Sequence, residues 1–145
     1  MALTLGVVNE LMGREYKRVA MATIAVASAA LLVGAVDVLS PRSARPGLWD
    51  ISLSANGSNS RRACLADPMI LTQWEHRRSA CTRVVIAEHG AQATVHYTCS
   101  GGGFGQSAMT LLTPRSIRVE TQGISDGLPF DYVLHARRAG DCPVR

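Results

Sequence analysis

From residue 47 onward the chain is written mostly in a period of two. The segment Leu48-Trp49-Asp50-Ile51-Ser52-Leu53-Ser54 alternates apolar and polar side chains over its second half, the pattern of a half-buried strand. Asn56 to Ser60 is a turn by composition, and Asp67 followed by Pro68 predicts a capped short helix running to about Glu75. After Cys81 the period returns to two: Thr82 to Glu88 and Ala91 to Cys99 are strand runs joined at His89-Gly90 as a hairpin. In the second run Ala93, Val95, Tyr97 and Cys99 share one face, which points Cys99 at the core. Further runs follow at Gln106–Leu112, Ser116–Thr121 and Pro129–Arg137, separated by Thr113-Pro114-Arg115 and by Gln122 to Gly127. In the last, Phe130, Tyr132, Leu134 and Ala136 form one face. Short connections favour antiparallel neighbours, because a parallel pair needs a longer crossover. The expected fold is mainly β: an antiparallel meander of about six strands, a curved sheet or barrel-like, with one short helix at its edge.

A different pattern precedes it. Val19 to Val36 is an uncharged, Ala-rich apolar run, flanked on its N-terminal side by Arg14, Lys17 and Arg18 and only one acid, Glu15. A positive flank before an apolar run is the mark of a secretory signal or an N-terminal membrane anchor. Val33-Gly34-Ala35 places small residues where a signal peptidase reads them, so cleavage after Ala35 is expected, with retention as a hydrophobic anchoring helix the alternative. Starting at Met12 gives a conventional n-region, Met-Gly-Arg-Glu-Tyr-Lys-Arg, and that is the expected start. No cysteine follows the apolar run to carry a lipid. The division is therefore residues 1–36 as signal peptide or anchor, 37–46 as linker and 47–145 as a β-rich domain.

The length of 145 residues allows one modest core, and the 47% hydrophobic content is inflated by the leader. Formal charge is 15 − 11 = +4, and beyond residue 36 it is 12 − 9 = +3. All twelve basic residues there are arginine, six of them in separate pairs at Arg61-Arg62, Arg77-Arg78 and Arg137-Arg138. A nucleic-acid surface needs a concentrated basic face with stacking aromatics, whereas this excess reads as dispersed; no nucleic-acid partner is expected.

Four cysteines, Cys64, Cys81, Cys99 and Cys142, all follow the leader. An even count in a small exported domain reads as two disulfides. Zinc knuckles and redox sites want close pairs of the C-x-x-C kind, whereas 16, 17 and 42 residues intervene here. Three connectivities are open, and the favoured one joins Cys64 to Cys81 and Cys99 to Cys142. Each bridge contributes on the order of 3–4 kcal/mol by the chain-entropy model.

Candidate chemistry is sparse. Gly101-Gly102-Gly103-Phe104-Gly105 lacks the Lys-Ser/Thr and the following helix of a phosphate loop, and reads as a hairpin loop. His96 and His135 fall on the solvent face of their strands and meet only if those strands are neighbours; His76 and His89 have no partner set. No serine sits in G-x-S-x-G, and no carboxylate pair has a supporting neighbour. Trp49 and Trp74 are expected to be buried. No catalytic, cofactor-binding or metal-ligating residue is assigned, and no cofactor is expected.

The landmarks nonetheless form an ordered set: Arg45-Pro46-Gly47-Leu48-Trp49-Asp50 at the opening, Cys64-Leu65 before the short helix, Cys81 after it, Val95-His96-Tyr97-Thr98-Cys99 ending a strand, and Arg138-Ala139-Gly140-Asp141-Cys142 at the close. The chain resembles the exported bacterial family catalogued as domain-of-unknown-function 3617, with its P-G-L-W-[DE] opening and R-x-G-[DE]-C close, over about residues 45 to 142. The resemblance implies export to a periplasm and a cysteine-stapled β-rich domain. It supplies no activity, so no catalytic residues carry over; the Met-rich early strand region of many members is missing here, so no shared ligand carries over either. The expected function is a non-enzymatic binding or envelope-associated module, periplasmic or extracellular, whose partner is an envelope component or protein, with possible membrane association through residues 19–36. The alternatives are a small periplasmic enzyme such as a hydrolase, or a small-ligand carrier using a barrel interior.

Overall fold

The computed structural model describes residues 39–144, so the apolar run and the helix expected of it lie outside the described residues. Seven strands form the domain: β1 (Gly47–Ser52), β2 (Arg61–Leu65), β3 (Cys81–His89), β4 (Gln92–Cys99), β5 (Phe104–Thr113), β6 (Ser116–Ser125) and β7 (Leu128–Gly140). They make one antiparallel sheet in the order β2-β1-β7-β6-β5-β4-β3. The six expected runs are all present. The seventh, β2, pairs Ala63 with Trp49 and Leu65 with Gly47. It is short and mostly exposed, with Leu65 its only buried residue, so its sequence carries no clear alternation. The sheet is open, with β2 and β3 as its two edges.

The period of two places Trp49 and Ile51 on β1, Met109 and Leu111 on β5, Ile117 and Val119 on β6, and Leu134 and Ala136 on β7 in one buried cluster. The segment between β2 and β3 lies over this face. Asp67 caps it by accepting from the Met69 amide at 2.9 Å, and Pro68 occupies the first turn. The element is a 3₁₀ helix, Pro68–His76, interrupted at Gln73 where φ −122° and ψ 34° leave the helical region. It does not sit at an edge as expected. It crosses the inner face against β4, β5 and β6, with Leu71 fully buried beneath it. The reason is topological: the chain must travel from one edge of the sheet to the other, and the apolar face is the surface that Leu71 can cover.

This crossing also overturns the favoured cysteine pairing. Cys64 on β2 and Cys81 at the start of β3 stand on opposite edges, so the segment between them is not a closed loop. The bridges are Cys64–Cys142 and Cys81–Cys99, with Cα separations of 5.7 and 3.9 Å. Cys81 faces Cys99 directly across the β3–β4 ladder. The C-terminal tail leaves β7 beside β1, where Leu48 lies opposite both Gly140 and Cys64, and this brings Cys142 to β2.

Before β1 the chain is already packed. Ser40 caps a single 3₁₀ turn, Pro41–Ser43, and Pro41 and Ala44 are buried. Trp49 is fully buried as expected, its indole N–H donating to the Arg45 carbonyl at 3.1 Å. Among the described residues no helix is long and apolar enough to cross a membrane.

Candidate functional site: an arginine groove

The helix crossing has an electrostatic consequence. Arg61 and Arg62 open β2 at one edge, Arg77 and Arg78 follow the end of the helix, and Arg83 belongs to β3 at the other edge. All five line one solvent-open groove of about 560 Å³ whose only carboxylate among the described residues is Asp67. β3 reaches the start of the helix at this point, where Arg83 Nη2 lies 3.4 Å from Asp67 Oδ2. Two of the three arginine doublets that read as dispersed in sequence are therefore gathered by the fold and joined by Arg83, because each of the two sits at an element end that opens on the same side, while Arg137 and Arg138 on β7 lie outside the groove.

The five side chains are not equivalent. Arg62 is held by Asp50, Nε to Oδ1, at 2.9 Å. The Arg77 guanidinium stacks 4.7 Å over the Trp74 ring while its Nη1 donates to the Trp74 carbonyl at 3.1 Å. Arg61 and Arg78 are exposed. Trp74 and Ile70, both half-buried, give the groove an apolar floor. Guanidinium groups present planar donor forks that match carboxylate, phosphate or sulfate oxygens, and a stacked guanidinium is pre-oriented for that contact. The groove thus combines donor forks of this kind with an apolar floor. Trp74 is thus only partly buried, in contrast to the expectation, and its exposed part belongs to this floor.

A second cluster lies under the helix end. His76 Nδ1 is 3.2 Å from the Tyr97 hydroxyl, and Tyr132 donates to Glu75 Oε2 at 3.0 Å. Phe130 completes it, 6.0 Å from the His76 ring and 5.7 Å from that of Tyr132. The rings fit because β5 offers no side chain there: a Cβ on Gly105 would lie 2.6 Å from the Tyr97 oxygen. Burial, and then the Glu75 charge, push the Tyr97 hydroxyl up to about 12. Burial also raises Tyr132, helped by its bond to Glu75. Both phenols therefore keep their protons well above ordinary pH. Ser107 Oγ, fully buried nearby, reaches Thr121 Oγ1 at 2.7 Å and the Thr72 carbonyl, tying helix to sheet. The cluster reads as a polar seam that seats the helix.

The remaining sequence candidates are apart from one another. β4 and β7 are separated by β5 and β6, and His96 stands in row with Asp131, four positions from His135 along β7, so the two histidines do not meet. His96 Nε2 contacts Gln106 Oε1 at 2.7 Å on the outer face, in a cross-strand row that runs through Gln122 to Asp131. Gly101 to Gly103 form the turn between β4 and β5, as expected. Among the described residues no group of three or more His, Cys, Asp or Glu could hold a metal ion. Sequence reading missed both the groove and the seam. The signal available for the groove was the placement of arginine doublets at predicted element ends.

Fold and groove together define a small, doubly disulfide-stapled antiparallel domain with one helix across its inner face and a basic cleft between its sheet edges. The chain belongs to the family described as protein of unknown function (DUF3617), whose model matches residues 44–142. No curated protein and no solved structure matches it.

Proposed function

We propose that the protein is an exported binding module that holds an anionic envelope component in the groove lined by Arg61, Arg62, Arg77, Arg78 and Arg83. The observation that carries this reading is the convergence of five arginines from three separate elements on one groove containing a single carboxylate. Two disulfides and no free cysteine among the described residues support an oxidising compartment, and the apolar run behind a positive flank supports the route there. That compartment favours an envelope anion over a nucleic acid. The inner face of the sheet is filled by core side chains and the helix, which favours a surface groove over a carrier's enclosed interior.

Titration of the purified protein with pyrophosphate, heparin and phosphatidylglycerol vesicles tests the groove. At least one probe is expected to bind, less tightly as salt rises, and Arg61→Glu with Arg78→Glu is expected to abolish that binding without loss of folding. Binding of none, or binding indifferent to both substitutions, overturns the reading. Mass spectrometry of protein from its native envelope tests the compartment: a mature N-terminus after Ala35 and loss of four hydrogens are expected, whereas four free thiols overturn it.

A further inference from the structure

The two edges of the sheet are protected very differently. β2 is five residues long and begins with two arginines. β3 runs for nine residues, contains neither proline nor lysine, and leaves Val84, Val85 and Ile86 55%, 38% and 53% exposed. No described strand pairs with its outer side. A long edge with exposed apolar side chains is a template for another strand, provided the partner matches its charges and any bulge.

The backbone groups on that outer side can be assigned from the ladder. The Ser100 amide donates to the Ala80 carbonyl at 3.0 Å, which makes Cys81 and Cys99 a non-hydrogen-bonded pair. By alternation Arg83 and Val85 also direct their N–H and C=O groups away from β4. A bulge at Ile86 then shifts the register, so that Ala87 faces Thr94 and Glu88 faces Ala93. Ala93 turns its own backbone toward β5, and Glu88 is therefore outward as well. The bulge leaves Arg83 and Glu88 on the same, inner face of the sheet, although five positions separate them and plain alternation would put them on opposite faces.

We propose that β3 pairs antiparallel with β3 of a second copy of this chain, about a two-fold axis between Val85 and Ile86. In that register Arg83 lies opposite Glu88 of the second copy and Glu88 opposite its Arg83, on matching faces, and each pair uses outward backbone groups. Val84 meets Ala87 of the second copy, and Val85 meets its Ile86, which covers the exposed apolar stretch. The contact is self-complementary in charge, as an isologous interface requires. The present partners of these side chains are exposed and loose: Asp67 at 3.4 Å from Arg83, and Arg42 at 3.6 Å and the Ser40 hydroxyl at 3.5 Å from Glu88. The result is one continuous fourteen-stranded sheet, twice the seven strands of the single copy.

Analytical ultracentrifugation of the purified chain tests the pairing. Wild-type protein is expected to show a concentration-dependent dimer. Glu88→Arg, which lies outside the arginine groove, and Arg83→Glu are each expected to weaken it at least tenfold. The double variant R83E/E88R restores the charge pairing and is expected to restore the dimer. Hydrogen exchange on the wild-type chain gives a readout independent of any variant: the amides of Arg83, Val85 and Glu88 are expected to gain protection as concentration rises. A monomer up to millimolar concentration, a dimer untouched by either reversal, a double variant that stays monomeric, or unprotected amides in the dimer overturns the proposal.

Discussion

Arg138 Nε donates to the carbonyl oxygen of Pro46 over 2.8 Å, and this contact fastens the closing motif of the chain to its opening motif. The same guanidinium pairs with Asp141, and its side chain lies against Gly47. Gly47 has φ +142°, and a Cβ there would stand 2.5 Å from the Gly140 carbonyl oxygen. The P-G-L-W opening and the R-x-G-D-C close are thus two halves of one clamp, with Cys142 continuing from it into the bridge to Cys64.

The clamp predicts two destabilised variants. Arg138→Ala removes a charge-assisted hydrogen bond in a largely buried setting, at about 2 kcal/mol. Gly47→Ala combines a disfavoured backbone angle with a backbone clash, and is expected to cost about 2 kcal/mol or more. Urea unfolding midpoints check both, and a midpoint unchanged in either contradicts the clamp.

The two bridges differ in the loop each closes, with sequence separations of 78 and 18 residues. The chain-entropy relation gives about 4.5 kcal/mol for the longer and about 3.2 kcal/mol for the shorter. Removing Cys64 and Cys142 together is therefore expected to destabilise more than removing Cys81 and Cys99 together. Equilibrium unfolding of the two double alanine variants checks the order, and non-reducing peptide mapping checks the pairing itself.

Most of the sheet was legible because a half-buried strand must alternate. Ala93, Val95, Tyr97 and Cys99 face the core in the structure as their spacing requires. The β2 strand was not legible, since two exposed arginines and an exposed Cys64 leave nothing to alternate. Asp67 and Pro68 marked the start of the helix correctly, but which surface it covers depends on the order of strands, and strand order leaves no local trace. The disulfide pairing and the groove failed to show for that same reason. Cys64 and Cys81 look close along the chain and lie on opposite edges, while Arg61 and Arg83 look distant and share one cleft.

The polar seam makes a pH prediction. Tyr97 is pushed up to about 12 in the folded state, and Tyr132 is raised too, against an ordinary phenol near 10. Between those values the unfolded chain has lost protons that the folded chain keeps. The seam's contribution is complete below about pH 10 and is lost as pH rises through about 12, so stability falls over that window. Absorbance of tyrosinate in the folded protein is expected to appear late for both phenols, and Tyr97→Phe is expected to flatten the fall in urea midpoint. Ordinary titration near pH 10 for both contradicts the seam.

Asp67 couples the groove's electrostatics to the helix start, because one side chain serves both, and two substitutions separate the roles. Its Oδ1 accepts from the Met69 amide at 2.9 Å and its Oδ2 lies 3.4 Å from Arg83, as the only carboxylate in the groove lining. Asp67→Asn keeps a capping oxygen and removes the charge, so folding is expected to change by only a few tenths of a kcal/mol. Arg83 then loses its carboxylate partner, while Arg62 keeps Asp50. An exposed ion pair is worth about 1 kcal/mol or less, which sets an upper bound of about fivefold on the gain in affinity for pyrophosphate. Asp67→Ala removes charge and cap together, and is expected to show the same gain in affinity with about 1 kcal/mol less stability. Paired calorimetric titration and urea unfolding of the two variants check this. Equal or weaker pyrophosphate binding by both would mean that the anion does not compete with Asp67 for Arg83.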